Sequence, residues 1–324
     1  MIKNKIWILL ASISLIILVA CSGETENSKK SSEFPDENLT VIVPFGAGGG
    51  TDLYIREIMD IMIKENIYLK NIKIENKEGG SGAKGYSYLK KQNGNAYFVS
   101  PTAASFFSTP IVSNAGYEVE DFTPIALMGT EDLFLMVNGD SSINSLDDFI
   151  EESNKRLLRV GGVGQISDER MIPEQFAKEA DIKIEYVPFQ GAGELISALT
   201  SDSLDAIVGN PTRSMGQIES GMFKPLAFSG KERFHSLKEV PTFIEEGYNV
   251  NLSQPRGIVM PGNISEEQKQ WWIDAMKQVS ETERWKNFVK KNGMTDEFLF
   301  GEDFEQMLKE TNETYKKAVK NIQE

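Results

Sequence analysis

Cysteine and histidine each occur once in the 324 residues, as Cys21 and His235. A disulfide needs a second thiol and a structural zinc site needs about four sulfur or nitrogen ligands, so the count excludes both. His235 sits in the polar stretch GKERFHSLKEV, and no G-x-S-x-G elbow accompanies it, which leaves serine-histidine chemistry without its nucleophile and reads His235 as a surface residue. Carboxylates are plentiful, yet none stands in a pattern that marks a paired acid and base. Basic residues are also scarce: 34 Lys and Arg face 48 Asp and Glu, a formal net charge of −14. Loss of Lys3 and Lys5 with the leader described below leaves 32 against 48, or −16. So acidic a chain lacks the basic footprint of a nucleic-acid partner. The surplus reads as a solvated, aggregation-resistant surface.

Long apolar runs are nearly absent as well. The one from Ile6 to Val19 falls short of the about 20 residues that span a bilayer. Lys3 and Lys5 precede it, and Ala20 and Cys21 follow, the layout of an export signal. The grouping LVAC resembles the lipobox of bacterial lipoproteins. That resemblance implies a signal peptide over 1–21, lipidation of Cys21, a lipid bilayer as partner, and a place on the outer face of the cell membrane. With Cys21 so used, the body has no thiol for redox or metal chemistry. The polar stretch over 22–38, SGETENSKKSSEFPDEN, reads as a flexible tether.

Beyond the tether, β-rich runs alternate with amphipathic ones. LTVIVPF, NIKIEN and NAYFVSPT read as strands; TDLYIREIMDIMIKEN and AKGYSYLKKQ read as helices, with Leu53, Ile55, Ile58, Met59 and Met62 largely on one side of the first. This β-α-β-α-β order predicts a parallel sheet covered by helices. PIALMGTEDLFLMVN reads as a link. The alternation then restarts: helix SLDDFIEESNK, strand RLLRVGGV, helix SDERMIPEQFAKEA, strand IKIEYVPF, helix GELISALTSD and strand LDAIVGN. The helix-rich remainder, with Trp271, Trp272, Ile273 and Met276 as anchors, is expected to pack back onto the first unit.

Two strand ends carry nearly the same phrase, VPFGAGGGTD from Val43 and VPFQGAGEL from Val187. A strand that ends in a glycine loop and feeds a helix aims unpaired N–H groups and the positive end of the helix dipole at one crevice. Such a crevice binds anions without needing Lys or Arg. Thr51 and Asp52 stand where a helix N-cap belongs. A rival reading is the dinucleotide fingerprint, since Gly46, Gly48 and Thr51 nearly fit G-x-G-x-x-G and Glu75 ends the next strand. Pro44-Phe45, the missing third glycine and the export signal weigh against a secreted nucleotide-dependent oxidoreductase. A scaffold or adhesion lipoprotein with a vestigial cleft is the other alternative.

From Leu39 onward the chain resembles the solute-binding proteins of tripartite tricarboxylate transporters, the Bug family. VPFGAGGGTDLYIR, ending at Arg56, and NKEGGSGAKG, from Asn76, are similar to that family's first two loops. DFTPIALMG from Asp121, VPFQGAGELISAL, LDAIVGNP from Leu204 and VPTFIEEGY from Val240 follow in the same order. The resemblance implies an α/β, two-lobed, type II periplasmic-binding-protein-like fold. Each lobe is then a mostly parallel sheet flanked by helices, with lobe I over 39–128 and 240–324, lobe II over 129–239, and the ligand cleft between them. It also implies a monomer that binds a small carboxylate for membrane-embedded permease subunits, with no catalysis, no cofactor and no metal. Carried over by position, Phe45, Gly46, Ala47, Gly49, Thr51, Asp52, Thr102 and Ala103 contact ligand from lobe I. Ser167, Gln190, Gly191, Ala192 and Asn210 do so from lobe II. GQISDERM departs from the family pattern at Ile166, Arg170 and Met171, and Pro255 stands where many members have Trp. Arg170 and Arg213 are read as solvated or ion-paired, Arg56 as a structural ion-pair partner, and Asp205 as a stiffener of its lobe.

Overall fold

The computed structural model describes residues 34–165, 167–189, 191–250 and 252–323. The leader with Cys21, most of the tether, and Gln190 lie outside them. From Leu39, β1 (Leu39–Val43), β2 (Ile72–Asn76) and β3 (Phe98–Pro101) are joined through α1 (Gly50–Lys64) and α2 (Ala83–Lys90). β1 pairs in parallel with both other strands. Leu39, Val41, Ile42 and Val43 are all buried, so β1 is covered on both faces and reads as an unbroken apolar run. α1 turns Tyr54, Ile55, Ile58, Met59, Ile61 and Met62 inward. Leu53, expected on that face, is instead 52% exposed.

The segment read as a link forms two strands, β4 (Phe122–Glu131) and β5 (Phe134–Asn138). Both are covered on both faces. β5 places Phe134 and Met136 in one buried cluster and Leu135 and Val137 in another. A strand buried on both sides has no period-2 signal, which is why this one is invisible to pattern reading.

The second unit continues with α4 (Leu146–Lys155), β6 (Leu158–Val163), α5 (Asp168–Glu179), β7 (Ile184–Phe189), α6 (Ala192–Thr200), β8 (Ala206–Gly209), α7 (Pro211–Glu219) and β9 (Phe223–Phe228). β10 (Gln254–Pro261), α8 (Glu266–Glu281), α9 (Glu283–Lys291), β11 (Leu299–Phe300) and α10 (Glu302–Gln323) complete the chain. Two sheets result, in the orders β11-β4-β10-β3-β1-β2 and β7-β6-β8-β5-β9. The expected parallel pairs β1-β2, β1-β3, β6-β7 and β6-β8 are present. β10 and β5, however, each run antiparallel to both of their neighbours, so both sheets are mixed.

The last helices return to the first sheet. Trp272 is fully buried and donates its indole N–H to the Ala96 carbonyl at 3.0 Å. Trp285 does the same to Met128 at 3.2 Å. The chain passes between sheets at Asp132–Leu133 and returns between β9 and β10. Asp132 accepts hydroxyl hydrogen bonds from Thr295 at 2.5 Å and Thr130 at 3.3 Å, and another from Ser253 on the return segment. Ser229 and Leu133 add a reciprocal pair, each bond 2.9 Å long. These bonds tie the two passages together.

Candidate functional site

β1 delivers the first glycine loop at the carboxyl edge of its sheet. Gly85 of α2 lies against Pro44 so closely that a Cβ there would stand 2.7 Å from the proline Cα. Gly48 adopts φ +80°, a left-handed conformation that side chains resist. The helix N-cap falls on Gly49, with no side-chain cap, so Thr51 and Asp52 sit inside the first turn rather than before it. Ala47, Gly48, Gly49 and Gly50 are exposed and Phe45 and Gly46 half-buried. The first-turn amides of α1 have no partner within the helix.

Asp52 holds this loop from inside. Its buried carboxylate accepts from the Gly48 amide at 2.8 Å, Arg56 Nε at 2.7 Å and Asn76 Nδ2 at 2.9 Å. Asn76 Nδ2 also reaches the Phe45 carbonyl at 2.9 Å. Burial pushes the carboxyl up, but the hydrogen bonds from Arg56, Gly48 and Asn76 and the Arg56 charge prevail and hold it at about 2. Asp52 is therefore a latch, and Arg56 its structural partner. Glu75, the acid the dinucleotide reading requires, is held by Lys73 at 2.7 Å and Lys77 at 2.9 Å.

Thr102 is fully buried. Its hydroxyl accepts from the Gly257 amide at 2.8 Å and donates to the Pro255 carbonyl at 2.9 Å, and its own amide donates to Gly257. It bonds β3 to β10, which leaves Ala103, the N-cap of α3 (Ala104–Val112), to present backbone at this edge.

On the second sheet, Ser167 caps α5, Gly191 caps α6 with Ala192 as its first residue, and Asn210 caps α7. Ser167 Oγ is buried with no partner among the described residues. Asn210 Oδ1 accepts from the Arg213 amide at 3.1 Å. Arg170 is committed to Glu174 at 2.7 Å and to the Gln165 carbonyl at 3.1 Å. Asp205 accepts from Arg156 at 2.8 Å and from the Arg159 amide at 2.7 Å.

The two sheets meet at a cavity of about 140 Å³. Gly50 and Tyr54 line it from the first lobe and Asn210 and Arg213 from the second, with Glu131 and Arg256 between. Arg256 is only 7% exposed; Nη2 lies 2.8 Å from Glu131 and Nη1 donates to Thr51 Oγ1 at 3.0 Å. Sequence reasoning missed Arg256. The available signal was a lone charge inside the apolar strand QPRGIVMP.

Two acids at the start of α5 are hard to ionise. Burial raises Asp168 to about 6, although Tyr315, which donates a hydrogen bond to it, and Arg256 pull the other way. Burial likewise raises Glu169 to about 7 against the Val163 amide and Arg213. Both titrate higher folded than at their ordinary values of 3.8 and 4.5. The cost of charging them is absent below those ordinary values and complete above the folded ones. Relative to Glu169→Gln, the wild-type chain should therefore lose melting temperature between about pH 4.5 and pH 7. A difference between the two chains that stays constant across this interval would contradict the burial of the Glu169 carboxyl.

Residues 56–324 match the model of the tripartite tricarboxylate transporter family receptor. Protein BugT of Bordetella pertussis is 25% identical over 235 residues, 70% of this chain and 71% of that protein. A TctC solute binding protein from Polaromonas has the same fold, with a TM-score of 0.81 at 23% identity, covering 89% of this chain and 99% of that one. An R. palustris protein solved with adipate gives 0.73 at 21%, covering 90% and 98%. Glycine loops on two facing sheets, the doubled crossing between them and the family match over most of the sequence agree: the chain belongs to the tripartite tricarboxylate transporter receptor family, as a solute-binding receptor of two-lobed, periplasmic-binding-protein fold.

Proposed function

We propose that the protein captures a small carboxylate between its lobes outside the cytoplasm and presents it to the membrane-embedded permease subunits of a tripartite transporter. It does so as a monomer without catalysis, anchored through lipidated Cys21. The observation that carries this reading is the Gly46–Gly50 loop. Asp52, Asn76 and Arg56 hold it from behind, and its outer face and the first-turn amides of α1 are left for an anion. Charge-assisted bonds from such amides are about twice as strong as neutral ones. The adipate held by the R. palustris relative is a solute of this kind.

A thermal-shift screen of the full chain in detergent tests the proposal, using mono-, di- and tricarboxylates, amino acids, aromatic acids and NAD. A carboxylate at about 100 times its Kd should add about 2.7 kcal/mol of stability. Stabilisation by NAD and by no carboxylate would instead establish the oxidoreductase reading. A flat response to every compound would point to a scaffold.

A further inference from the structure

α5 faces two cores at once. Its Ile172 and Phe176 are buried with Leu158, Val160, Ala206 and Val208 of the second sheet. Its first turn looks the other way. Met171 is buried in the apolar cluster of the first lobe, with Phe106 and Phe107 of α3 and Phe304, Leu308 and Tyr315 of α10. Among the described residues of that buried cluster, Met171 is the one drawn from 129–239. Asp168, three residues earlier and so on the same side of the helix, accepts a hydrogen bond from the Tyr315 hydroxyl. Asp168 is 5% exposed and Tyr315 fully buried. The Tyr315 ring stacks on Phe107 with centroids 5.3 Å apart, and the helix that carries Phe107 is capped by Ala103. Arg256, Glu131 and Asp132 are the other charges around Asp168, and Glu169 follows it. Unlike the two chain crossings, this contact between the lobes is made by side chains alone, so it lasts only while they stay together.

We infer that Tyr315 and Asp168 form a clasp that holds the lobes closed, with Met171 as its apolar half. Tyr315 is then a positioning residue that acts through α5. Ser167 caps that helix and is expected from the sequence to contact solute; the clasp keeps it against the first lobe. This consequence for solute rests on the carboxylate reading above, whereas the clasp itself does not.

Two spin labels report the clasp without any solute. Lys84→Cys at the start of α2 and Glu194→Cys at the start of α6 occupy exposed positions on the two lobes, and Cys21→Ser leaves no other thiol in the full chain. The measurement is made at pH 8, above the value of about 6 at which Asp168 titrates. Tyr315→Phe keeps the ring and removes only the hydroxyl, and it should raise the ratio of open to closed distances roughly tenfold, the worth of one charge-assisted hydrogen bond. Asp168→Asn, which keeps an acceptor oxygen, should open the chain less. Asp168→Ala with Tyr315→Phe should open it no further than Asp168→Ala alone. A lowered melting temperature with an unchanged distance distribution in Tyr315→Phe and Asp168→Ala would make the bond an ordinary core contact and overturn the inference. If the distances shift but no carboxylate stabilises the wild-type chain, the clasp stands and the carboxylate reading alone fails.

Discussion

Gly49→Val is expected to weaken solute binding by at least about 100-fold while leaving the protein folded. Gly49 has φ −74° and ψ 165°, ordinary extended backbone that valine adopts freely. A Cβ there meets only the Gly46 carbonyl oxygen, at 3.5 Å, which is normal contact. The fold therefore loses only the difference between glycine and valine at a helix N-cap, about 1 kcal/mol. The function loses more, because a branched side chain stands over the amides of Gly49 and Gly50 where a carboxylate must come close. Titration of the variant with the best solute of the screen, beside its melting curve, separates the two effects. Unchanged affinity would remove the first-lobe loop from the site; gross unfolding would show that the loop's shape depends on Gly49 in ways the geometry does not contain.

Asp52→Ala should do the reverse, damaging the fold before the site and costing roughly 3 kcal/mol of stability or about 5 °C in melting temperature. The truncation strips the Gly48 amide of its partner, leaves Arg56 with only its 3.2 Å bond to Asn76 Oδ1, and leaves the Asn76 amide nitrogen with only the Phe45 carbonyl. Asp52→Asn should fall between, since it keeps an acceptor for Asn76 but turns an NH₂ group toward Gly48 and Arg56. With the carboxyl held at about 2, the latch is lost only as pH falls from the ordinary 3.8 through that value. The wild-type advantage over Asp52→Ala should thus be constant above about pH 5 and shrink below about pH 4. A melting temperature within about 2 °C of wild type at neutral pH would mean that the loop holds itself.

Much of this was legible in the residues. The βαβ alternation marks β1 to β3 and β6 to β8 because each is followed by a helix whose apolar stripe has a different period. The glycine phrase marks the first loop because few other residues turn so tightly. Hidden from view were the crossing strands. β4 and β5 lack alternation, being covered on both faces, and their antiparallel partners β9 and β10 lie far away in sequence. The latch was half visible: Arg56 at four residues from Asp52 signals an ion pair, whereas Asn76 enters only through the pairing of β2 with β1. Thr102 and Arg256 could not be placed at all by pattern. Thr102 matches a loop position, but β10 lies against β3 and takes its hydroxyl. Arg256 looks like a misplaced surface charge until Glu131 arrives from the end of β4.

The stitching at Asp132 also has a mechanical consequence. Two separate strands between the lobes would let them slide, twist and part as bodies on a pair of strings. Here one carboxylate gathers hydroxyls from Thr130, Ser253 and Thr295, and Leu133 is bound to Ser229. The two strings become a single strap, soft to bending and stiff to shear. The lobes can then swing on one axis, like the covers of a book on its spine. Two pairs of spin labels at different places across the mouth should report distances that change together, and distances that vary independently would show that the spine had come unsewn.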